Sequence, residues 1–229
     1  MGAKITTARQ AITVYFKDRP ELLAQCDVAV ARIGAAWNAT QGGSPAVRFH
    51  SVMQVADQEI AARKRESRAV LPCKAGCHHC CVQEVLVSIS EAVLLVQFIE
   101  HQMDGAQRAA AIHRIEASGV SGATASTPCA MLASDKTCSA YLNRPLACRS
   151  YLALSEPACR SYRDHRGQPP PVFRPAVVVD VAVREVARLY RHSGNYEVNT
   201  LLKRIYADPA KVALWAAEQP TDESDLARG

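Results

Sequence analysis

Cys73-Lys74-Ala75-Gly76-Cys77-His78-His79-Cys80-Cys81 places four thiols in one short run, and its chemistry governs how the rest of the chain reads. Gly76 permits the tight backbone turn that lets thiolates converge on one ion. Cys77 and Cys80 form a Cys-x2-Cys pair, the common half of a tetrahedral sulfur site for zinc or for an iron–sulfur cluster. Cys80 and Cys81 are adjacent, and neighbouring side chains are expected to point apart. One is therefore expected to face a first centre, and the other a second centre or a second wall.

Four more cysteines follow, Cys129, Cys138, Cys148 and Cys159, at spacings of nine, ten and eleven residues that suit ligands from successive loops and helix starts. Eight of the chain's nine cysteines thus lie between 73 and 159. They can supply two four-ligand sites, or one site with thiols to spare. The ninth, Cys26, sits among apolar helix formers and reads as a small buried hydrophobe. The first ten residues contain no apolar run of the secretory kind, so a cytoplasmic, reducing setting is expected, where clustered cysteines bind metal more often than they form disulfides. Met1-Gly2 with Thr6 formally fits an N-myristoylation pattern, a short signal that the cytoplasmic reading does not use.

The whole chain has 229 residues, 48% of them hydrophobic and 21% charged, enough to bury a core. A net charge of +5 spread over that length argues for no nucleic-acid partner, and 6% aromatic residues make a poor base-stacking platform. The apolar run Val93 to Ile99 falls well short of the ~20 residues that cross a bilayer.

Around the cysteines the pattern is helical. Pro20 to about Thr40 reads as one helix, with Gly42-Gly43 after it, and Ala46 to about Ala69 as a second, with Val47, Val52, Val55 and Ile60 on one face. The basic run Arg63-Lys64-Arg65 falls at the C-terminal end of the second helix, where the helix dipole favours cations. Val82 to Val87 reads as a short strand or extended link. Ser88-Ile-Ser-Glu91 fits a capping box that opens a helix to about Met103, and another helix runs from Asp104 to about Ala117. Ser118 to Pro128 reads as a loop. Gly167 to Pro175 carries four prolines and marks a linker. Helices are expected from Ala176 to Tyr190 (Val178, Val181, Val186 and Leu189 inward), from Asn195 to Tyr206, and from Asp208-Pro209 onward. The fold class that follows is mainly α, with a loop-rich, metal-stapled cysteine centre. Its expected divisions are an N-terminal helical segment (1–70), a cysteine-cluster metal-binding domain (71–165), and a Pro-rich linker with C-terminal helices packing on it (166–229).

Metal chemistry makes further demands. Zinc, or a [4Fe–4S] core, held by four thiolates carries a net charge of about −2, and a partly buried dianion needs cations and hydrogen-bond donors around it. Lys74, Arg144, Arg149 and Arg160 flank the cysteines and are candidates, with ordinary surface charge the alternative. His78 and His79 lie inside the ligand run and are secondary ligand candidates behind eight thiols.

At these residues the chain resembles the YkgJ-type cysteine-cluster proteins, a family described as zinc- or iron-chelating. Cys73, Cys77, Cys80 and Cys81 match its first box. Cys129, Leu132, Cys138, Tyr141, Arg144, Pro145, Cys148 and Arg149 match its second, so that the resemblance covers about 70 to 160. The chain departs from the family pattern at Ala140, where isoleucine is usual, and at Asp135-Lys136-Thr137, where a glycine is common. The resemblance implies chelation of zinc or iron, and a similarity to part of flagellin lysine-N-methylase keeps open an S-adenosylmethionine-linked, iron–sulfur-dependent enzyme as the alternative.

The residues themselves supply no reaction. No Gly-x-Gly-x-x-Gly, P-loop, Gly-x-Ser-x-Gly or His-Glu-x-x-His run occurs, and Glu84, Glu91, Asp135 and Asp164 form no evident acid–base pair. Cys73-x3-Cys77-x2-Cys80 has the spacing of a radical S-adenosylmethionine loop, but no series of strands is present to build the barrel such enzymes use. The expected cofactor is zinc or iron, with a [4Fe–4S] cluster among the iron forms. The expected partners are that metal ion or cluster and a protein partner, with neither nucleic acid nor membrane.

Overall fold

The computed structural model describes residues 16–118, 127–165, 168–189 and 196–210. Pro20 opens α1 (Pro20–Ala39) at a first helical position, where its missing N–H is not needed. Leu22, Cys26, Ala29, Ile33 and Trp37, spaced three and four apart, form its buried stripe. Ser44 caps α2 (Pro45–Glu66), its hydroxyl accepting from the Val47 N–H. The buried face of α2 is Phe49, Val52, Met53, Ala56 and Ile60. Val47, expected on that face, is 54% exposed, because five residues of helix turn it well away from Val52.

The basic end of α2 is more than a solvated terminus. Arg63 reaches back to Glu59 (3.3 Å) and across to the Gln25 side chain of α1 (2.7 Å), so its guanidinium links the two helices. Beyond the proline-rich link, α7 (Arg174–Leu189) lays Ala176, Val178, Val179, Ala182, Val183 and Val186 against α1 and α2. These three helices, with Leu146, Leu152 and Phe173, make the first apolar core.

The second core is built around α3 (Ile89–His101), α4 (Gly105–Ala117) and α8 (Val198–Ala207). The capping box forms as expected. The Ser88 N–H donates to Glu91 Oε2 (2.8 Å) and the Glu91 N–H donates to Ser88 Oγ (3.2 Å). Asp104 caps α4 through the Gln107 N–H, and Glu197 caps α8 through the Asn199 and Thr200 N–H groups. The extended link before α3 becomes a two-residue strand, β1 (Leu86–Val87), paired antiparallel with β2 (Tyr196–Glu197) in the register Leu86↔Glu197 and Val87↔Tyr196. This pairing brings the start of α8 beside the cysteine run.

Of the clustered thiols, Cys80 and Cys81 lie on a 3-10 turn at His79–Val82, Cys148 on α5 (Leu146–Ser150) and Cys159 on α6 (Glu156–His165), while Cys73, Cys77, Cys129 and Cys138 lie on irregular chain, the last just before a second 3-10 turn at Tyr141–Asn143. The fold is therefore mainly α with a loop-rich cysteine centre. The expected N-terminal features, most of the 118–128 loop, the end of the helix expected to reach Tyr190, and all but the start of the helix expected from Asp208-Pro209 lie outside the described residues. Among the described residues no helix is long and apolar enough to cross a membrane.

Candidate metal centre

Gly76 has φ +84, the left-handed value that a tight turn between Cys73 and Cys77 requires. The turn is closed by the Cys77 N–H donating to the Lys74 carbonyl (3.1 Å). The chain then enters the 3-10 turn carrying Cys80 and Cys81. In the tightened turn the Cys81 thiol donates to Cys80, which draws the Cys80 pKa down to about 7 and pushes that of Cys81 up.

The downstream cysteines are brought to this turn by contacts that cross the fold. The Cys129 N–H donates to the Cys81 carbonyl (2.7 Å). Asn199, 1% exposed near the start of α8, grips the same segment on both sides. Its Oδ1 accepts from the Ala130 N–H (2.9 Å) and its Nδ2 donates to the Pro128 carbonyl (3.0 Å). Arg114 of α4 donates to the Ala130 carbonyl (2.7 Å). Cys138 returns by a bridge to Leu132 around a turn in which Lys136 has φ +66. Asp135 stabilises that turn by accepting from the Thr137 N–H (2.9 Å) and hydroxyl (2.7 Å). A left-handed lysine costs roughly 1–2 kcal/mol relative to the ordinary backbone regions, which the Asp135 contacts help to offset. Glu91 extends its capping role to the site as well. Its second oxygen accepts from the Leu146 N–H (2.7 Å) and so fixes the start of α5, which carries Cys148.

Cys159 is buried on α6, which docks against the first 3-10 turn. His79 makes that joint, its Nδ1 accepting from Arg163 (3.0 Å) and its Nε2 facing Glu156 (3.5 Å). Both ring nitrogens thereby have protein partners, and His79 clamps α6 to the turn. The ring of His78 lies 5.1 Å from it.

Six of the expected ligands, Cys77, Cys80, Cys81, Cys129, Cys138 and Cys148, line one cavity of about 280 Å³. Cys73, with Cys77, Cys80 and Cys148, borders a second of about 270 Å³. Cys159 reaches the group from the α6 side, its thiol pushed up to about 11 by burial and by Cys73, Cys77 and Cys80. All nine cysteines are free thiols. Among the described residues no three Cys, His, Asp or Glu side chains already stand as a closed metal cage, so ligation requires the thiols to turn toward a common point.

The donor set nonetheless fits a thiophilic metal. Burial pushes Cys129 up to about 12, and pushes Cys148 upward as well, so these thiols are neutral without a cation to share them. Backbone N–H groups are aimed at the sulfurs, from Met131 to Cys129, from Ala140 to Cys138 and from Ala153 to Cys73 (3.2 Å), each favouring the thiolate. Of the four flanking cations only Arg144 acts on the cluster, drawing down Cys73, Cys80, Cys138 and Cys148, while its guanidinium lies over the Tyr141 ring. Arg149 pairs with Asp57, Arg160 pairs with Glu156, and Lys74 is exposed. Cys26 behaves differently. It is buried between α1 and α7, burial pushes it up to about 11, and its thiol faces the Val178 carbonyl.

The sequence reading missed Asn199, Arg114 and the clamp role of His79. A lone asparagine in a helical stretch carries no local signal of a contact that lies about seventy residues away.

Residues 72–171 match the family model described as CxxCxxCC, a "putative zinc- or iron-chelating domain". No curated protein and no solved structure gives a significant match to the chain.

Proposed function

We propose that this cysteine-cluster domain, which spans residues 72–171, chelates zinc or iron through the thiolates of Cys73, Cys77, Cys80, Cys81, Cys129, Cys138, Cys148 and Cys159. The observation that carries the reading is the gathering of six free thiols, from three separate stretches of chain, around one cavity. Such a centre joins stretches that share little core of their own, and metal ligation contributes on the order of 10 kcal/mol to folding in structural zinc sites. Each thiol gives up a proton when it ligates, so binding releases protons and weakens in acid. Iron, if it is the native metal, is held either as an ion or in an iron–sulfur cluster, since thiolates serve both.

The test is anaerobic purification of the full chain, with metal and sulfide analysis beside the visible spectrum. Zinc without colour supports a chelating or structural centre. Iron with sulfide and a broad visible absorption supports a cluster. A chain that retains neither metal, and takes up neither Zn²⁺ nor Fe²⁺ under reducing conditions, overturns the reading.

A further inference from the structure

We infer that Gln83 and Arg144 are side-chain donors that hydrogen-bond to the ligand thiolates once the centre is loaded. The inference rests on the chelating reading above and adds to it two residues that serve the sulfurs rather than the metal.

Two donors without acceptors stand in the wall of the six-thiol cavity. Gln83 follows the 3-10 turn that carries Cys80 and Cys81, and its backbone N–H closes that turn by donating to the Cys80 carbonyl (3.1 Å). The residue is thereby held beside two of the ligands. It lines the cavity, and its Nε2 is shut off from solvent with no hydrogen-bond partner. A buried N–H group left unpaired is rare in a folded chain, because it has given up its bonds to water and gained none. Arg144 lines the same cavity, and also the second one that Cys73 borders. Its Nε donates to the Tyr141 carbonyl (3.0 Å) and its guanidinium lies 4.0 Å from the centre of the Tyr141 ring. Among the described residues neither of its terminal nitrogens has an acceptor, and no carboxylate pairs with it.

Loading supplies what both donors lack. A neutral thiol is a weak acceptor, whereas a metal-bound thiolate is negatively charged and accepts charge-assisted bonds. Much of the remaining wall is apolar, through Val85, Leu86, Leu95, Met131 and Val198, and its one carboxylate, Glu84, is exposed to solvent. Sulfur is therefore the abundant acceptor inside the cavity. The two contributions differ. Arg144 brings a full positive charge to a centre of about −2, while Gln83 brings N–H groups and leaves the charge unchanged. Both favour thiolate over thiol, so both strengthen metal binding.

The direct test loads the reduced full chain with ¹¹³Cd²⁺, which thiolates hold as they hold zinc. A hydrogen bond from N–H to a cadmium-bound sulfur transmits a scalar coupling to the metal, so NMR of the wild type reads the contact without any substitution. Couplings are expected from the Gln83 side-chain amide and the Arg144 guanidinium. Zn²⁺ affinity is then measured by chelator competition for Gln83→Met and Arg144→Met, which keep side-chain length without a donor. Each should bind about 10–100-fold more weakly than wild type, with Arg144→Lys falling between Arg144→Met and wild type. In the Co²⁺-loaded variants the sulfur-to-metal charge-transfer band should move to longer wavelength, because a thiolate without its donor gives up charge more readily. A role confined to packing would lower the melting temperature and leave that band in place. A residue with no coupling, or whose methionine variant leaves the band in place, is struck from the pair. Loss of both overturns the inference while leaving chelation standing. A wild-type chain that takes up no Cd²⁺, Zn²⁺ or Fe²⁺ overturns the chelating reading, and the inference falls with it.

Discussion

Replacing Asn199 with alanine removes the side chain that holds the Cys129 segment on both sides. The Ala130 N–H is buried, so losing its acceptor leaves an unsatisfied donor and costs about 1–3 kcal/mol. Pro128 is exposed and its carbonyl can turn to water, so that second bond contributes only about 0.5–1.5 kcal/mol. Alanine returns about 0.6 kcal/mol through its better helix propensity. The balance is a loss of about 1–4 kcal/mol, which for a chain of this size lowers the melting temperature by roughly 2–15 °C. Asn199→Asp keeps an acceptor for Ala130 but turns a buried carboxylate oxygen toward the Pro128 carbonyl, and should lose at least as much. Thermal and urea unfolding of the metal-loaded chain measure both variants. A loss below about 0.5 kcal/mol in Asn199→Ala, the range of an ordinary surface change, would refute the clamp.

Three further outcomes are expected. Gly76→Ala should destabilise by about 1–2 kcal/mol through backbone strain alone, since its added Cβ meets nothing within 4 Å; an unchanged urea midpoint would mean that the turn relaxes freely. Glu91→Ala removes the acceptor for both Ser88 and Leu146 and should cost about 2–4 kcal/mol, with Glu91→Gln costing less, read by the same unfolding assay. Cys26→Ala should leave metal per chain unchanged while lowering stability by on the order of 1 kcal/mol; loss of a metal equivalent would make Cys26 a ligand.

The parts of the fold legible in the chain were those governed by neighbours a few residues apart. Pro20 at a helix start, the Ser88–Glu91 capping box, the left-handed Gly76 and the apolar stripe of α1 all follow from local backbone needs and helical period. The same logic failed at Val47, where a face was drawn through residues the helix turns apart. Helices α5 and α6 span only five and ten residues, too short for a sustained apolar period to be read.

Sequence alone determined which atoms the centre could use: eight thiols in one stretch of chain, a glycine to turn the first of them, and a helical frame on either side. Residue type and local spacing are written in the chain itself, and that sulfur is a soft metal donor follows from residue type alone. Which thiols stand together was decided only by tertiary structure. Cys73 acts on Cys159 from 86 positions away, and Asn199 holds the segment on either side of Cys129 from about 70 positions away. Those meetings depend on two apolar cores packing side by side, on strand β2 reaching β1, and on α6 docking through His79. No rule confined to a few neighbouring residues contains such long-range packing.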